Sequence, residues 1–247
     1  MNVSLYQASA AMNAATRWQE LIAENLAGAP VTGYKKRELS TEAVQAGLML
    51  PGNQPAPVFL LPHATSELNL QQGELRRTGV ATDVAIEGPG FFEVQMPNGS
   101  PAYTRNGEFR LTAQGQLITK GGQPVMGETG PIQIDTASGE PVTITASGEV
   151  SQGGVVRGKL KVVEFDQPHL LTPAGAGLFT AQNPQLQARP AAVSTVCQGF
   201  LEASNISPTL EMANLIVAMR QFETAQRVIQ MQDERMGRTI AELSGNG

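Results

Sequence analysis

The chain has 247 residues, enough for one large domain or two ordinary ones, and 41% of them are hydrophobic. The net charge is -5, and no basic stripe with interleaved aromatic residues is present, which argues against a nucleic-acid partner. One cysteine, Cys197, leaves no internal disulfide, and we expect it to be a small buried hydrophobe. No apolar run approaches the roughly 18 residues of a membrane span, so membrane insertion is not expected.

A first helix is predicted in residues 1–34, and Gly28 and Pro30 are expected to end it. Only three charged residues lie in this range, whereas an exposed helix normally carries a charged face. We therefore expect other protein to surround this helix. Its apolar positions recur three and four residues apart, with Gln19 in the same rhythm, and they are Leu5, Ala8, Met12, Ala15, Ile22 and Leu26.

Residues 35–72 are predicted to be an extended, proline-rich arm. Four prolines fall within residues 51–62, and proline at that density favours an extended, semi-rigid path. Large apolar residues at 49–50 and 58–61 favour an arm laid on a neighbouring molecule over a solvated linker.

An all-β domain is predicted over residues 73–199, where the composition of the sequence changes. Eighteen of the 26 glycines lie between Gly73 and Gly177, and turn signals such as Asn98-Gly99 recur at short intervals. Short runs with period-two alternation separate those turns. The pattern predicts many short strands and leaves a sandwich and an irregular barrel both open.

The last segment, residues 200–247, is predicted to contain one continuous helix of roughly 30 residues, about 45 Å long. Apolar residues recur with heptad-like spacing, which is typical of a helix that packs lengthwise on another helix. Gln226 and Asp233 occupy the two positions where an apolar residue is missing. The seam comprises Met212, Leu215, Met219, Phe222, Ile229, Met236 and Ile240.

The predicted fold is therefore α+β, with the two terminal helices forming a coiled-coil-like helical domain and the all-β domain inserted between them. The terminal helices either pair inside a solitary protein or bury faces against other subunits, and we favour the second interpretation. The amino terminus lacks the basic start and apolar core of a cleaved Sec signal peptide.

No catalytic, cofactor-binding or metal-binding motif is recognisable in the sequence. Gly88-Pro89-Gly90 is interpreted as a tight turn, because proline removes an N–H that would hold a phosphate. Asp83 and Glu87 are the one carboxylate pair considered for glycoside cleavage, although acidic pairs on a strand edge are usually just solvated.

Several short stretches resemble the signatures of bacterial flagellar rod and hook proteins. They occur in the family's order over nearly the whole chain, from Ile22-Ala23-Glu24-Asn25-Leu26-Ala27 to Val228-Ile229-Gln230. Glu24 and Gly28 depart from the asparagines usual at those positions. The residues carrying the resemblance are Asn25, Leu26, Gly33, Tyr34, Asp83, Gly88, Gly90, Phe91, Phe92, Tyr103, Arg105, Gly107, Asn205, Glu211, Phe222 and Glu223.

The resemblance implies a structural rod subunit rather than an enzyme. It implies export through the flagellar type III apparatus without a cleaved signal peptide. It also implies assembly in the periplasm, with copies of the chain and other rod subunits, into the shaft that carries torque from motor to hook. The short segment before Gly73 and residues 127–132 look more like a proximal-rod than a distal-rod subunit.

Three alternatives stay open on the sequence. The first is a distal-rod subunit of the same family, and the second is a carbohydrate-active β enzyme using Asp83 and Glu87. The third is a soluble coiled-coil adaptor, for which the terminal seam would suffice by itself.

Overall fold

A computed structural model describes residues 3–47, 58–183 and 185–244 of the chain. The chain forms two compact units. The helical unit takes the described parts of residues 1–26, 37–67 and 207–247, and the β unit takes those of residues 27–36 and 68–206. The β unit is therefore contributed by two stretches of chain, and it begins with the last two residues of the first helix.

Two long helices dominate the helical unit. Helix α1 spans Val3–Gly28, and its end at Gly28 confirms the predicted stop. Helix α2 spans Pro208–Ser244, 37 residues, so it is longer than the stretch predicted from the absence of glycine and proline. Pro208 opens α2 because its missing N–H would be unpaired in the first turn anyway, and the Glu211 N–H donates to the Ser207 carbonyl.

The predicted arm is in part a β-hairpin. Strands β1 (Arg37–Gly47) and β2 (Val58–Leu68) pair as a two-stranded sheet. Eleven extended residues in each strand give a ribbon about 36 Å long. Residues 48–57, which hold three of the four prolines, lie outside the described ranges.

The β unit contains many short strands, as predicted. They are β3 (Leu75–Arg77), β4 (Val84–Glu87), β5 (Phe91–Gln95), β6 (Pro101–Thr104), β7 (Phe109–Leu111), β8 (Leu117–Thr119), β9 (Met126–Gly127), β10 (Gly130–Pro131), β11 (Val142–Ile144), β12 (Glu149–Gln152), β13 (Val155–Lys159), β14 (Val162–Phe165), β15 (Thr172–Gly175), β16 (Leu178–Thr180), β17 (Ala188–Pro190), β18 (Thr195–Gln198) and β19 (Phe200–Glu202). A 3-10 turn covers Pro168–Leu170.

The largest sheet of the β unit is antiparallel and has the order β15-β16-β6-β5-β14-β17. A second sheet has the order β11-β12-β13, and the remaining strands form two-stranded pairs. Two of those pairs join distant parts of the sequence, since β18 pairs with β4 and β19 pairs with β3. The strands that immediately precede α2 therefore complete sheets started more than 100 residues earlier.

Adjacent phenylalanines on β5 fill two separate cores, because successive side chains on a strand point to opposite faces. Phe92 packs edge-on against Phe109, with ring centroids 5.1 Å apart, in the larger apolar cluster. Phe91 contacts Phe165 and Phe179 edge-on at 5.9 Å in the smaller one. The Phe91-Phe92 pair therefore places β5 between the two clusters.

Candidate functional site

Small residues form the buried stripe of the helical unit. Ala8 and Ala15 on α1 are buried at a seven-residue spacing, and Ala218 and Ala225 on α2 repeat that spacing. Asn25, near the end of α1, donates from Nδ2 to the Glu211 carboxylate at the start of α2, 3.4 Å away. Residues 7–11 of α1 line one groove with residues 217–228 of α2. The two helices therefore run antiparallel, with small side chains at their contact.

The predicted seam falls differently on the two helices. On α1, Ile22 is buried and Leu5, Met12 and Leu26 are partly buried. On α2, three seam residues are half-buried, whereas Met212, Met219, Met236 and Ile240 are exposed. On α2 the fully buried seam-side positions are thus the alanines, and the large seam residues beside them are at most half-buried. The half-buried members are Leu215, Phe222 and Ile229.

The first three turns of α2 present apolar side chains to solvent on several sides. Glu211 is the only charged residue in 209–219, and it is itself buried. A helix that is apolar all round is normally enclosed by protein. We call the exposed residues of these turns the assembly face: Leu210, Met212, Ile216, Val217 and Met219.

Asn25 fixes the end of α1 to the start of the β1 strand. Its Nδ2 donates to the Arg37 carbonyl at 2.8 Å, and its Oδ1 accepts from the Arg37 N–H at 2.9 Å. The Arg37 guanidinium also bonds Glu24 at 2.5 Å and the Ser66 hydroxyl at 2.7 Å. The side chain of Asn25 thus satisfies the backbone of a strand residue as a paired strand would.

A buried ion triad holds together three chain segments of the β unit. The Lys35 ammonium lies 2.5 Å from Glu202 Oε1 and donates to the Gln71 carbonyl at 2.7 Å. Arg105 Nη1 lies 3.5 Å from Glu202 Oε2, and its guanidinium stacks 4.8 Å over the Phe91 ring. The side chains of Lys35 and Glu202 are fully buried, and two cations therefore share one carboxylate.

Burial lowers the pKa of Lys35, and the Glu202 carboxylate opposes that shift. The pKa of Arg105 is lowered by burial in the same way. Arg105 Nε and Nη1 and Glu202 Oε2 find no hydrogen-bond partner among the described residues. Glu202 is the carboxylate that opposes the shift of both cations, and Glu164 adds a smaller opposing effect on the pKa of Arg105.

Backbone contacts around the triad require glycine and asparagine. Gly33 has a positive φ of 68°, and a Cβ there would lie 2.4 Å from the Arg105 carbonyl carbon. Its N–H donates to the Glu202 carbonyl at 2.7 Å. The Asn205 side chain accepts from the Lys36 N–H at 2.7 Å and donates to the Asn69 carbonyl at 2.9 Å. These motif residues serve close backbone packing rather than chemistry.

The other motif residues of the β unit also have structural positions. The Gly90 N–H donates to the Ser194 hydroxyl at 2.8 Å, and that hydroxyl donates to the Glu164 carboxylate. Burial raises the pKa of Glu164, but hydrogen bonds from Ser194 and neighbouring N–H groups together outweigh it, and the pKa is lowered. Burial, and then Glu93, raise the pKa of Tyr103. Of the rest, Tyr34, Asp83, Gly88, Gly107 and Asn205 lie in the β unit, whereas Phe222 is half-buried and Glu223 exposed on α2.

Asp83 and Glu87 do not form a glycosidase pair in this geometry. They lie at the two ends of the extended stretch of β4, about 13 Å apart along the backbone, and Glu87 is exposed. Asp83 is buried, and its backbone carbonyl accepts from the Gly199 N–H at 2.8 Å. In the part of the chain that the structure describes, no cluster of three potential metal ligands occurs.

Lys35 and Glu202 were missed as a functional pair by the sequence interpretation. They lie 167 residues apart, and no local pattern connects them. The one available signal was a lone carboxylate, Glu202, in the otherwise uncharged stretch 190–210.

Known proteins resemble the chain along its full length. Residues 85–152 match the family model described as "Flagellar hook protein FlgE/F/G D1 domain", and residues 198–242 match "Flagellar basal body rod FlgEFG protein C-terminal". The flagellar basal-body rod protein FlgF of Caulobacter vibrioides is 34% identical over 99% of both chains. The chain belongs to the FlgF/FlgG family of flagellar basal-body rod proteins.

Two further relatives show the range of the family. FlgF of Escherichia coli is 32% identical over 99% of both chains, and the rod protein FlgG of Borreliella burgdorferi is 28% identical over 95% of this chain and 96% of its own. Membership of a family of structural rod proteins implies a non-enzymatic role. Neither α1 nor α2 is apolar enough along its described residues to cross a membrane.

Proposed function

We propose that the chain is a structural subunit of the flagellar basal-body rod, and that it polymerises in the periplasm into the shaft that transmits torque from motor to hook. Family membership supports the rod, and the assembly face of α2 is the observation that carries polymerisation. Met212 and Met219 are 57% and 50% exposed on a helix surface without a charged residue. Burying the exposed part of such a side chain contributes roughly 1 kcal/mol, so five of them favour association substantially.

The partners proposed for this face are copies of the chain and other rod subunits. The fully buried apolar residues of α2 are small, so Met212 and Met219 are left exposed for neighbours. The buried ties at Asn25 and at the Lys35–Glu202 pair fix the chain segments of each unit, which suits a part that carries mechanical load.

Among rod subunits we favour the proximal, FlgF type. The FlgF relatives from Caulobacter vibrioides and Escherichia coli are more similar in sequence than the FlgG relative from Borreliella burgdorferi. A distal-rod subunit is the alternative, and the position of the protein in basal bodies imaged by cryo-electron microscopy distinguishes the two.

Incorporation into the rod is the decisive experiment. Deleting the gene should abolish swimming, and a tagged copy that restores swimming should be present in purified hook–basal bodies. Normal swimming without the gene, or absence of the tagged chain from basal bodies of restored cells, would refute the proposal.

The route of delivery is tested on the same material. We propose export through the flagellar type III apparatus without removal of an amino-terminal signal. Mass spectrometry of the chain from basal bodies should find the peptide that contains the first turns of α1. A mature terminus located inside α1 would contradict this route.

A further inference from the structure

The carboxy-terminal turns of α2 extend beyond the part of the helix that contacts α1. Ala225 lies at the level of Ala8, so α1 reaches its described start, Val3, about one and a half turns further along α2. From Asp233 to Glu242 every residue is exposed. Residues 233–244, about 18 Å of helix, form what we call the overhang.

The overhang repeats the face that α2 buries on α1. Met236 lies 18 residues after Ala218, five full turns, and so continues the alanine stripe in line. Ile240 follows four residues later on the same face, and both side chains are exposed. The overhang therefore displays a packing face with nothing from the described chain against it.

A groove of matching length lies just before the overhang. It is formed in the helical unit by residues 7–11 of α1 and 217–228 of α2, and its cavity volume is about 670 Å³. Ala8, Ala11 and Ala225 contribute to its lining, and small side chains allow a helix to approach closely. The twelve α2 residues along it span about 18 Å, as the overhang does.

Charge sets the direction in which an overhang fits this groove. Arg220 lines the groove near its first turn, and Asp233 stands at the first turn of the overhang beside the Met236 face. No ion pair within the described residues involves either side chain. Laid parallel, the overhang of one molecule brings its Asp233 to the level of another molecule's Arg220, whereas an antiparallel fit places Asp233 at the far end.

We propose that the overhang of one copy of this chain binds parallel in the α1/α2 groove of a second copy, with Asp233 paired to Arg220. This proposal rests on the proposed function. The contact uses two different surfaces, so it is heterologous and leaves a free groove and a free overhang at the ends of any chain of copies. Each addition displaces the next copy by the 13 residues between Arg220 and Asp233, about 20 Å along the helix axis.

Disulfide trapping of the purified full chain tests this contact without the flagellum. In a Cys197→Ser background, Arg220→Cys with Asp233→Cys should give a ladder of linked dimers, trimers and longer species on mild oxidation. The matched control is Arg227→Cys with Asp233→Cys, because position 227 lies on the same side of α2 as Arg220 but about 10 Å further along the helix axis, away from the level at which Asp233 docks. Equal crosslinking of the two pairs, or dimers without longer species, would overturn the proposal.

Charge reversal provides the second measurement. Arg220→Asp and Asp233→Arg should each weaken self-association in sedimentation experiments by roughly tenfold, and combining them should restore it. Arg227→Asp should have a much smaller effect. If the double variant associates no better than the single ones, the pairing is wrong, even if the tagged chain is found in basal bodies and the rod function stands.

Discussion

Replacing Glu202 by glutamine should destabilise the β unit strongly. The substitution keeps the size of the side chain but removes the one negative charge that two buried cations share. Breaking a buried ion pair by removing one partner costs about 3–5 kcal/mol. Lys35 keeps its hydrogen bond to the Gln71 carbonyl, and Arg105 keeps its cation–π contact with the Phe91 ring. We therefore expect the free energy of unfolding to fall by about 3 kcal/mol, the lower end of that range.

Urea unfolding of the purified chain measures this loss as a lower midpoint with an unchanged slope. A matched control is Glu74→Gln, because Glu74 forms an exposed pair with Arg76 that contributes little. Adding Lys35→Met to Glu202→Gln should recover part of the stability, since one unpaired cation is removed. A loss below about 1 kcal/mol for Glu202→Gln would refute the electrostatic account of the triad.

The same variant should depend on pH in a defined direction. Burial lowers the pKa of Lys35 from its usual 10.5, and without Glu202 the pKa falls further. The unfolded chain then binds more protons than the folded chain between the two pKa values, so stability rises with pH in that window. The deficit of Glu202→Gln relative to the unsubstituted protein should therefore shrink as the pH is raised from about 7 to about 10. A deficit that stays constant or grows would show that Lys35 is not the strained cation.

Three other substitutions probe separate parts of the chain. Met219→Asp should leave the urea midpoint within about 0.5 kcal/mol of the unsubstituted protein yet abolish swimming, because the side chain is half exposed in the monomer and is needed for assembly. Gly107→Ala should prevent folding, judged by circular dichroism, since a Cβ would lie 1.6 Å from the Val84 carbonyl oxygen; Gly99→Ala, with open space around it, should cost only about 1 kcal/mol. Asn25→Ala should cost about 2 kcal/mol in urea unfolding by leaving the partly buried Arg37 backbone groups unpaired, and an unchanged midpoint would contradict that role.

The helices and the strand-rich middle could be predicted because their signals are local. Gly28 and Pro30 end α1 through their own backbone properties, and paired turn residues such as Asn98-Gly99 occur where strands reverse. The β-hairpin was not predicted, in part because residues 35–72 show no strong alternation of apolar and polar residues and contain four prolines. The pairing depends on both strands together, and neither strand carries a sequence signal for it by itself.

The sequence did not single out the alanines that α2 buries inside the chain, for a different reason. Large apolar residues dominate a periodicity analysis, so the line through Met212 and Met219 outweighed the alanines at 218 and 225. Closely approaching helices favour small residues, and a short side chain such as Ala218 becomes fully buried at such a contact. The Lys35–Glu202 pair could not be predicted, because no sequence pattern links residues that far apart.

The closing strands of the β unit have a consequence for synthesis. β18 and β19 pair with β4 and β3, and Glu202, at the end of β19, neutralises Lys35. A nascent polypeptide that stops before residue 195 therefore lacks the strands that pair with β4 and β3 and lacks the carboxylate that contacts Lys35. The β unit can therefore complete these strand pairs only after residue 202 has been synthesised. We expect a prematurely terminated product to stay incompletely folded and to be degraded by proteases.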